Sequence, residues 1–198
     1  MDNTNSPALW KTHFPIPDSA SNKYTRGHAI VVGGGIASTG AARLAAVSAL
    51  RAGAGLVSVA CTPESLPIYA ASVMSVMTKP IRTLSDLVAL LEDSRVTATL
   101  IGPGCGVSET TREQVLQILG LKKPCVLDAD ALTVFKNDPK TLFSAIHGPT
   151  VLTPHEGEFE RIFSLSGDKE SRTREAAKLS GAVVVFKGSD TVIAAPDG

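Results

Sequence analysis

The chain has 198 residues, 43% of them hydrophobic, with 19 Lys and Arg balancing 19 Asp and Glu. At this length one domain is expected, able to bury about 70% of its unfolded surface, which excludes a disordered chain and removes any need for a disulfide or metal staple. A formal net charge of zero offers no overall attraction to a polyanion and argues against nucleic acid as the partner.

Residues 1–27 carry Pro7, Pro15 and Pro17 among Asn, Ser and Asp, with Trp10 and Phe14 as isolated large side chains, and read as a linker or N-terminal arm. They hold no apolar signal core, and no run of about 18 apolar residues occurs anywhere, so a soluble, cytoplasmic protein without a membrane partner is expected. From His28 to Gly198 the pattern is that of one α/β domain, in which short β-branched runs alternate with segments of helical period. The expected strands are 28–33, 56–61, 73–78, 96–102, 124–128, 150–153 and 182–187. Between the first two lies GAARLAAVSALRAGAG, a helix terminated by Gly53 and Gly55. A second helix should start at the cap Ser108 and bury Val115, Leu116 and Leu119. AVVVFKG and TVIAAP read as a hairpin, and the closing Asp197-Gly198 is a turn signal usually followed by another strand. The C-terminal part of the fold is therefore expected to be missing, with an unpaired strand edge near Thr191 to Ala195; an exposed frayed end after an edge strand is the alternative. Cys61, Cys105 and Cys125 are odd in number and match no metal or redox spacing, so free thiols are expected.

In such sheets ligands gather at the carboxyl ends of the strands, where several loops should converge. The first is GGGIASTGA, Gly33 to Ala41, whose glycines could bring a ligand close to backbone amides; a plain turn is the alternative. It is not a Walker loop, because Ala41 and Ala42 replace the Lys and the hydroxyl residue. It is not a dinucleotide fingerprint either, because Ser38 stands in place of the third glycine. The second, IGPGCG, could form a flat floor for a planar ligand or simply a tight turn. The third, LDADAL, places Asp128 and Asp130 two residues apart. They could hold magnesium, or Asp130 could cap the next helix. The fourth, LTPHEGEFERI, sets His155 at the mouth of a helix with Glu156 and Glu158 in its first turn. Phe159 replaces the second His of a zinc-protease motif. Last, Lys187, Gly188, Ser189, Asp190 and Thr191 form a turn that could meet a nucleotide or remain a solvated hairpin.

The ordered series GHAIVVGGGIASTGAARLAA, ALRAGAGLVSVA, LIGPGCG, VLDADAL, LTPHEGEFERI and VVVFKGSDTVI resembles the ATP- or ADP-dependent NAD(P)H-hydrate dehydratases. The resemblance covers about residues 23–198 and implies a ribokinase-like fold, a mostly parallel sheet flanked by helices on both faces. It implies phosphorylation of the ring hydroxyl of the S epimer of hydrated NADH or NADPH by ATP or ADP with Mg2+, then loss of phosphate. Position by position, it assigns Ala41, Gly104, Gly106 and His155 to the hydrate and Lys187 to Thr191 to the nucleotide. Cys105 stands where the family usually has a larger aliphatic residue. The family's later G-x-G-D segment, whose Asp acts on the hydroxyl, is expected beyond Gly198, and Ser166-Gly167-Asp168 does not substitute for it; the chain alone is thus expected to be inactive. A homo-oligomer and an epimerase domain, fused through the arm or paired, are further implications. A ribokinase-like small-molecule kinase and a non-catalytic nucleotide-binding fragment are the competing readings.

Overall fold

The computed structural model describes residues 4–72 and 74–198. Their elements run α1 (Pro7–Trp10), β1 (His28–Val32), α2 (Gly40–Ala52), β2 (Leu56–Cys61), α3 (Leu66–Ser72), β3 (Met77–Pro80), α4 (Leu84–Glu92), β4 (Val96–Ile101) and α5 (Glu109–Gly120). The order continues with β5 (Cys125–Leu127), α6 (Asp130–Thr133), α7 (Pro139–Ala145), β6 (Thr150–Leu152), α8 (Glu156–Ile162), α9 (Lys169–Ser180), β7 (Val183–Phe186) and β8 (Val192–Ala194).

The strands form one sheet in the order β3-β2-β1-β4-β5-β6-β7-β8. All neighbours are parallel except the antiparallel pair β7 and β8, so the expected hairpin is present and β8 lies at an edge. Alternation along β1 and β2 feeds two layers. Val31, Val57, Val59 and Cys61 pack with Ala42 and Ala46 of α2 and Tyr69 of α3 on one face. Ile30, Val32 and Ala60 belong to the larger core on the other face, with Leu87, Val115, Phe135, Leu142, Phe159 and Ala176. The alanines of α2, four residues apart, let that helix lie close on its strands.

Local signals account for the helix ends. Gly53 closes α2 at φ 119°, a conformation that disfavours any Cβ. Ser108 accepts the Thr111 amide at the start of α5, as expected. In that helix Ile118 is fully buried beside Val115 and Leu119, while Leu116 is only half-buried at the margin. Asp168 caps α9 by accepting the Ser171 amide at 2.7 Å, which gives the Ser166-Gly167-Asp168 stretch a structural use. Lys123 Nζ donates to the carbonyls of Leu91, Asp93 and Val96 at 2.6, 2.8 and 3.0 Å and ties α4 to β4.

The strand expected at 73–78 is displaced: β3 is Met77–Pro80, and Val73 lies outside the described residues. It is an outer strand, where Pro80 needs no partner for its missing N–H. Cys61, Cys105 and Cys125 are free thiols. Among the described residues no helix is long and apolar enough to cross a membrane. Most of residues 4–27 are exposed, Trp10 and Phe14 included.

Candidate active site

The sheet order fixes where a ligand can enter. From β1 the chain moves outward through β2 and β3, then returns to place β4 on the other side of β1. The crevice at the carboxyl ends of β1 and β4 is therefore the topological switch point of the sheet. The Gly33 to Ala41 loop leaves from one side of it and the Gly102 to Gly106 loop from the other.

These two loops touch. Ser38 Oγ donates to the Gly104 carbonyl at 2.9 Å, and a Cβ on Gly34 would meet the same oxygen. Gly104 has φ +75°, and a Cβ there would press on the Ser38 carbonyl at 2.6 Å. Tyr69 supports the loop from beneath by donating to the Gly34 carbonyl at 3.1 Å. Burial pushes its phenol up to about 12, so it remains a donor. Cys105 is likewise pushed up to about 11 by burial, which keeps the thiol protonated and removes it as a nucleophile at neutral pH.

The second loop is locked to the third. Gly102, at φ +131°, lies so near the Asp128 carbonyl that a Cβ would overlap that oxygen. The Gly106 amide donates to Asp130 Oδ2 at 2.8 Å. Asp130 thus stands in the first turn of α6 but reaches across to Gly106, and the helix has no side-chain cap. The residue before it, Ala129, has φ 50° and ψ −114°, a conformation that costs an L-residue about 1–3 kcal/mol. That strained residue separates Asp128 and Asp130, whose carboxylates take different partners.

Asp128 faces the fourth and fifth loops. Its Oδ1 accepts from Thr153 Oγ1 at 2.8 Å and from Lys187 Nζ at 2.7 Å. The Lys187 amide also donates to the Pro154 carbonyl. Beyond Pro154, His155 caps α8 with Nδ1 accepting the Glu158 amide at 3.3 Å, while Glu158 Oε2 accepts the His155 amide at 2.9 Å. A neutral imidazole so placed carries its proton on Nε2, which lies 3.2 Å from Glu158 Oε1. The ring is 54% exposed and the Glu158 side chain only 7%, so a buried carboxylate orients an accessible imidazole.

The structure therefore gathers Gly104, Gly106, Asp128, Asp130, His155 and Lys187 on one edge, with Ala41 on the first turn of α2 and Ser189 to Thr191 on the exposed turn after β7. Sequence reasoning missed two contributors. Thr153 was legible only as part of a loop, and Glu158 only as an acidic first-turn residue; the T/S-x-x-E logic of a capping box, with His as the cap, was the signal available. Among the described residues no three His, Cys, Asp or Glu side chains cluster as metal ligands.

A family model described as NAD(P)H-hydrate dehydratase matches residues 29–198. The chain is 36% identical over 193 residues to the bifunctional NAD(P)H-hydrate repair enzyme of Coxiella burnetii, covering 93% of this chain and 38% of that one. It is 36% identical over 182 residues to the ADP-dependent (S)-NAD(P)H-hydrate dehydratase of Lactococcus lactis, covering 90% of this chain and 64% of that relative. Among solved structures, the ADP/ATP-dependent NAD(P)H-hydrate dehydratase of Bacillus subtilis, co-crystallised with ATP/Mg2+, superposes with a TM-score of 0.80 at 30% identity, over 93% of this chain and 66% of the other. A ribokinase-like superfamily protein of Enterococcus faecalis superposes at 0.81 with 22% identity, which speaks for the fold alone.

Proposed function

Because the chain belongs to the NAD(P)H-hydrate dehydratase family, we propose that its strand-end cleft binds the S epimer of hydrated NADH or NADPH beside ATP or ADP, in the service of restoring NAD(P)H. The observation that carries this reading is the linkage of all five loops into one edge through Ser38 and Gly104, Gly106 and Asp130, and Asp128 with Thr153 and Lys187. In it, Ala41, Gly104, Gly106 and His155 form the hydrate side. Gly106 leaves open space for a ring, the space beside Gly104 being filled by Ser38, and the His155 Nε2–H, steered by Glu158, supplies a polar contact. Lys187 to Thr191 form the nucleotide side, where the Lys187 ammonium, already balanced against Asp128, meets phosphate charge.

The nucleotide supplies a phosphoryl group that makes the ring hydroxyl a leaving group; departure of phosphate and of one ring proton restores the dihydronicotinamide. Magnesium is held in such sites by one or two carboxylates together with the phosphates. Asp128 and Asp130 both fit that need, since each keeps one carboxylate oxygen, Oδ2 and Oδ1 respectively, without a hydrogen bond among the described residues. The proposal extends to a cytoplasmic homo-oligomer served by an epimerase, fused through residues 1–27 or separate, that supplies the S epimer.

The chain spans 38% of the Coxiella relative and 64% of the Lactococcus one, and its 198 residues contain no Gly-x-Gly-Asp segment. The test therefore runs the chain beside the same chain continued by the remaining residues of the Lactococcus relative, each with hydrated NADPH and ATP or ADP. Recovery of the NADPH absorbance in the continued form, with none above background in the chain alone, is the expected result. A stable phosphorylated alcohol accumulating in place of NADPH would contradict it and favour a small-molecule kinase.

A further inference from the structure

We propose that Lys169 is a positioning residue for nucleotide: its ammonium is the pin around which the Lys187 to Asp190 turn is folded, and it sets the affinity for ATP or ADP without touching either. The inference rests on the reading of that turn as the nucleotide contact and adds a residue from another element, the first residue of α9.

The Lys169 side chain is 17% exposed, unusual for a lysine, and its ammonium fills the inside of the turn. Nζ donates to the Lys187 carbonyl at 3.5 Å, to the Asp190 carbonyl, and to Asp190 Oδ1 at 3.3 Å. It also sits 4.8 Å from the centroid of the Phe186 ring, which stacks on Phe159 at 4.1 Å, so the pin is seated on a rigid part of the core. Both ends of the turn are thus held by one cation. Hydrogen bonding to its own backbone amide and to Lys169 keeps the Asp190 carboxyl below the usual carboxylate range.

The arrangement has a directional consequence. No peptide bond among the described residues is cis, so the C=O and N–H of each peptide unit point to opposite sides. With the Lys187 and Asp190 carbonyls turned toward Lys169, the amides of Gly188 and Thr191 are turned to the far side of the turn. That is the orientation an anion requires of them. Gly188 completes the device, since a Cβ there would fall on the Lys169 ammonium. The backbone angles of Gly188 lie outside the left-handed region, so what a side chain there would have to displace is the lysine end beside it.

Two variants test this. Lys169→Met removes the charge and keeps the stem over Phe186; Gly188→Ala leaves α9 intact and sets a methyl against the ammonium, with the Asp190 carbonyl of the turn 3.3 Å away. Each is titrated with Mg-ATP and Mg-ADP by amide NMR, beside a titration with hydrated NADPH and a thermal melt. The expected result is nucleotide binding weakened tenfold or more in both variants, with amide shifts at Gly188 to Thr191 altered, hydrate affinity within twofold of the unsubstituted chain, and substantial rescue by Lys169→Arg. The double variant should be no weaker than either single one, because both remove the same contact. If Lys169→Met lowers the melting temperature strongly, Lys169→Arg decides the matter: stability restored without nucleotide binding overturns the inference. Undiminished nucleotide binding in Lys169→Met, or equal loss of hydrate binding, would overturn the inference while leaving the nucleotide reading of the turn in place. Absence of nucleotide binding in the unsubstituted chain would overturn both.

Discussion

Replacing His155 by Ala is expected to weaken hydrate binding or turnover tenfold or more, equivalent to about 1.4 kcal/mol, within the range for loss of a polar contact that the ligand covers on binding. Two effects are superposed in that variant. In the proposed site the imidazole meets the hydrate, but it also caps α8 by accepting the Glu158 amide, and loss of a cap costs about 1 kcal/mol of stability. His155→Asn separates them, because asparagine is a strong cap with no imidazole N–H. The Asn variant should melt near the unsubstituted protein and still lose most of the hydrate affinity. Unchanged hydrate binding in both variants would remove His155 from the site.

Gly102→Ala carries the largest expected effect on stability. At φ +131° an L-residue is strained, and the added Cβ would overlap the Asp128 carbonyl oxygen and approach the Ala131 Cβ at 2.9 Å. Neither neighbour is the flexible end of a side chain, so the loops after β4 and β5 must separate. A cost of about 3 kcal/mol is expected, which for a domain of this size lowers the melting temperature by roughly 6–12 °C. The same separation breaks the bond from the Gly106 amide to Asp130, so ligand affinity should fall with stability. A melting temperature within 2 °C of the parent, give or take about the error of the scan, would show that the two loops are not locked as described.

The parts of this molecule legible in its sequence are those whose cause is local. β1, β2 and β7 announce themselves as β-branched runs, α2 ends where Gly53 permits a left-handed residue, and Ser108 caps α5 within its own turn. β3 was misplaced because Met77–Pro80 is a half-exposed outer strand whose pairing with β2, and not its own composition, makes it extended. Asp130 illustrates a different boundary. Its neighbours in sequence leave capping and ligand contact equally open, and the deciding partner, the Gly106 amide, is 24 residues away. Lys187 pairs with Asp128 across 59 residues, and Lys169 reaches Asp190 across 21. The loops could be ordered into a family signature from sequence, but the contacts that weld them into one edge arise only once the strand order is set.

The proposed function divides that edge at Asp128 into two adjoining subsites, with hydrate toward His155 and nucleotide toward Lys187. The measurement that tests the division most directly is calorimetric titration of Lys187→Met with hydrated NADPH and, separately, with Mg-ATP and Mg-ADP. The Thr153 hydroxyl still holds Asp128 in this variant, so the floor between the loops should remain. A marked loss of nucleotide affinity with hydrate affinity nearly unchanged is the expected result. Loss of hydrate affinity with nucleotide binding intact would contradict it and require the two subsites to be exchanged.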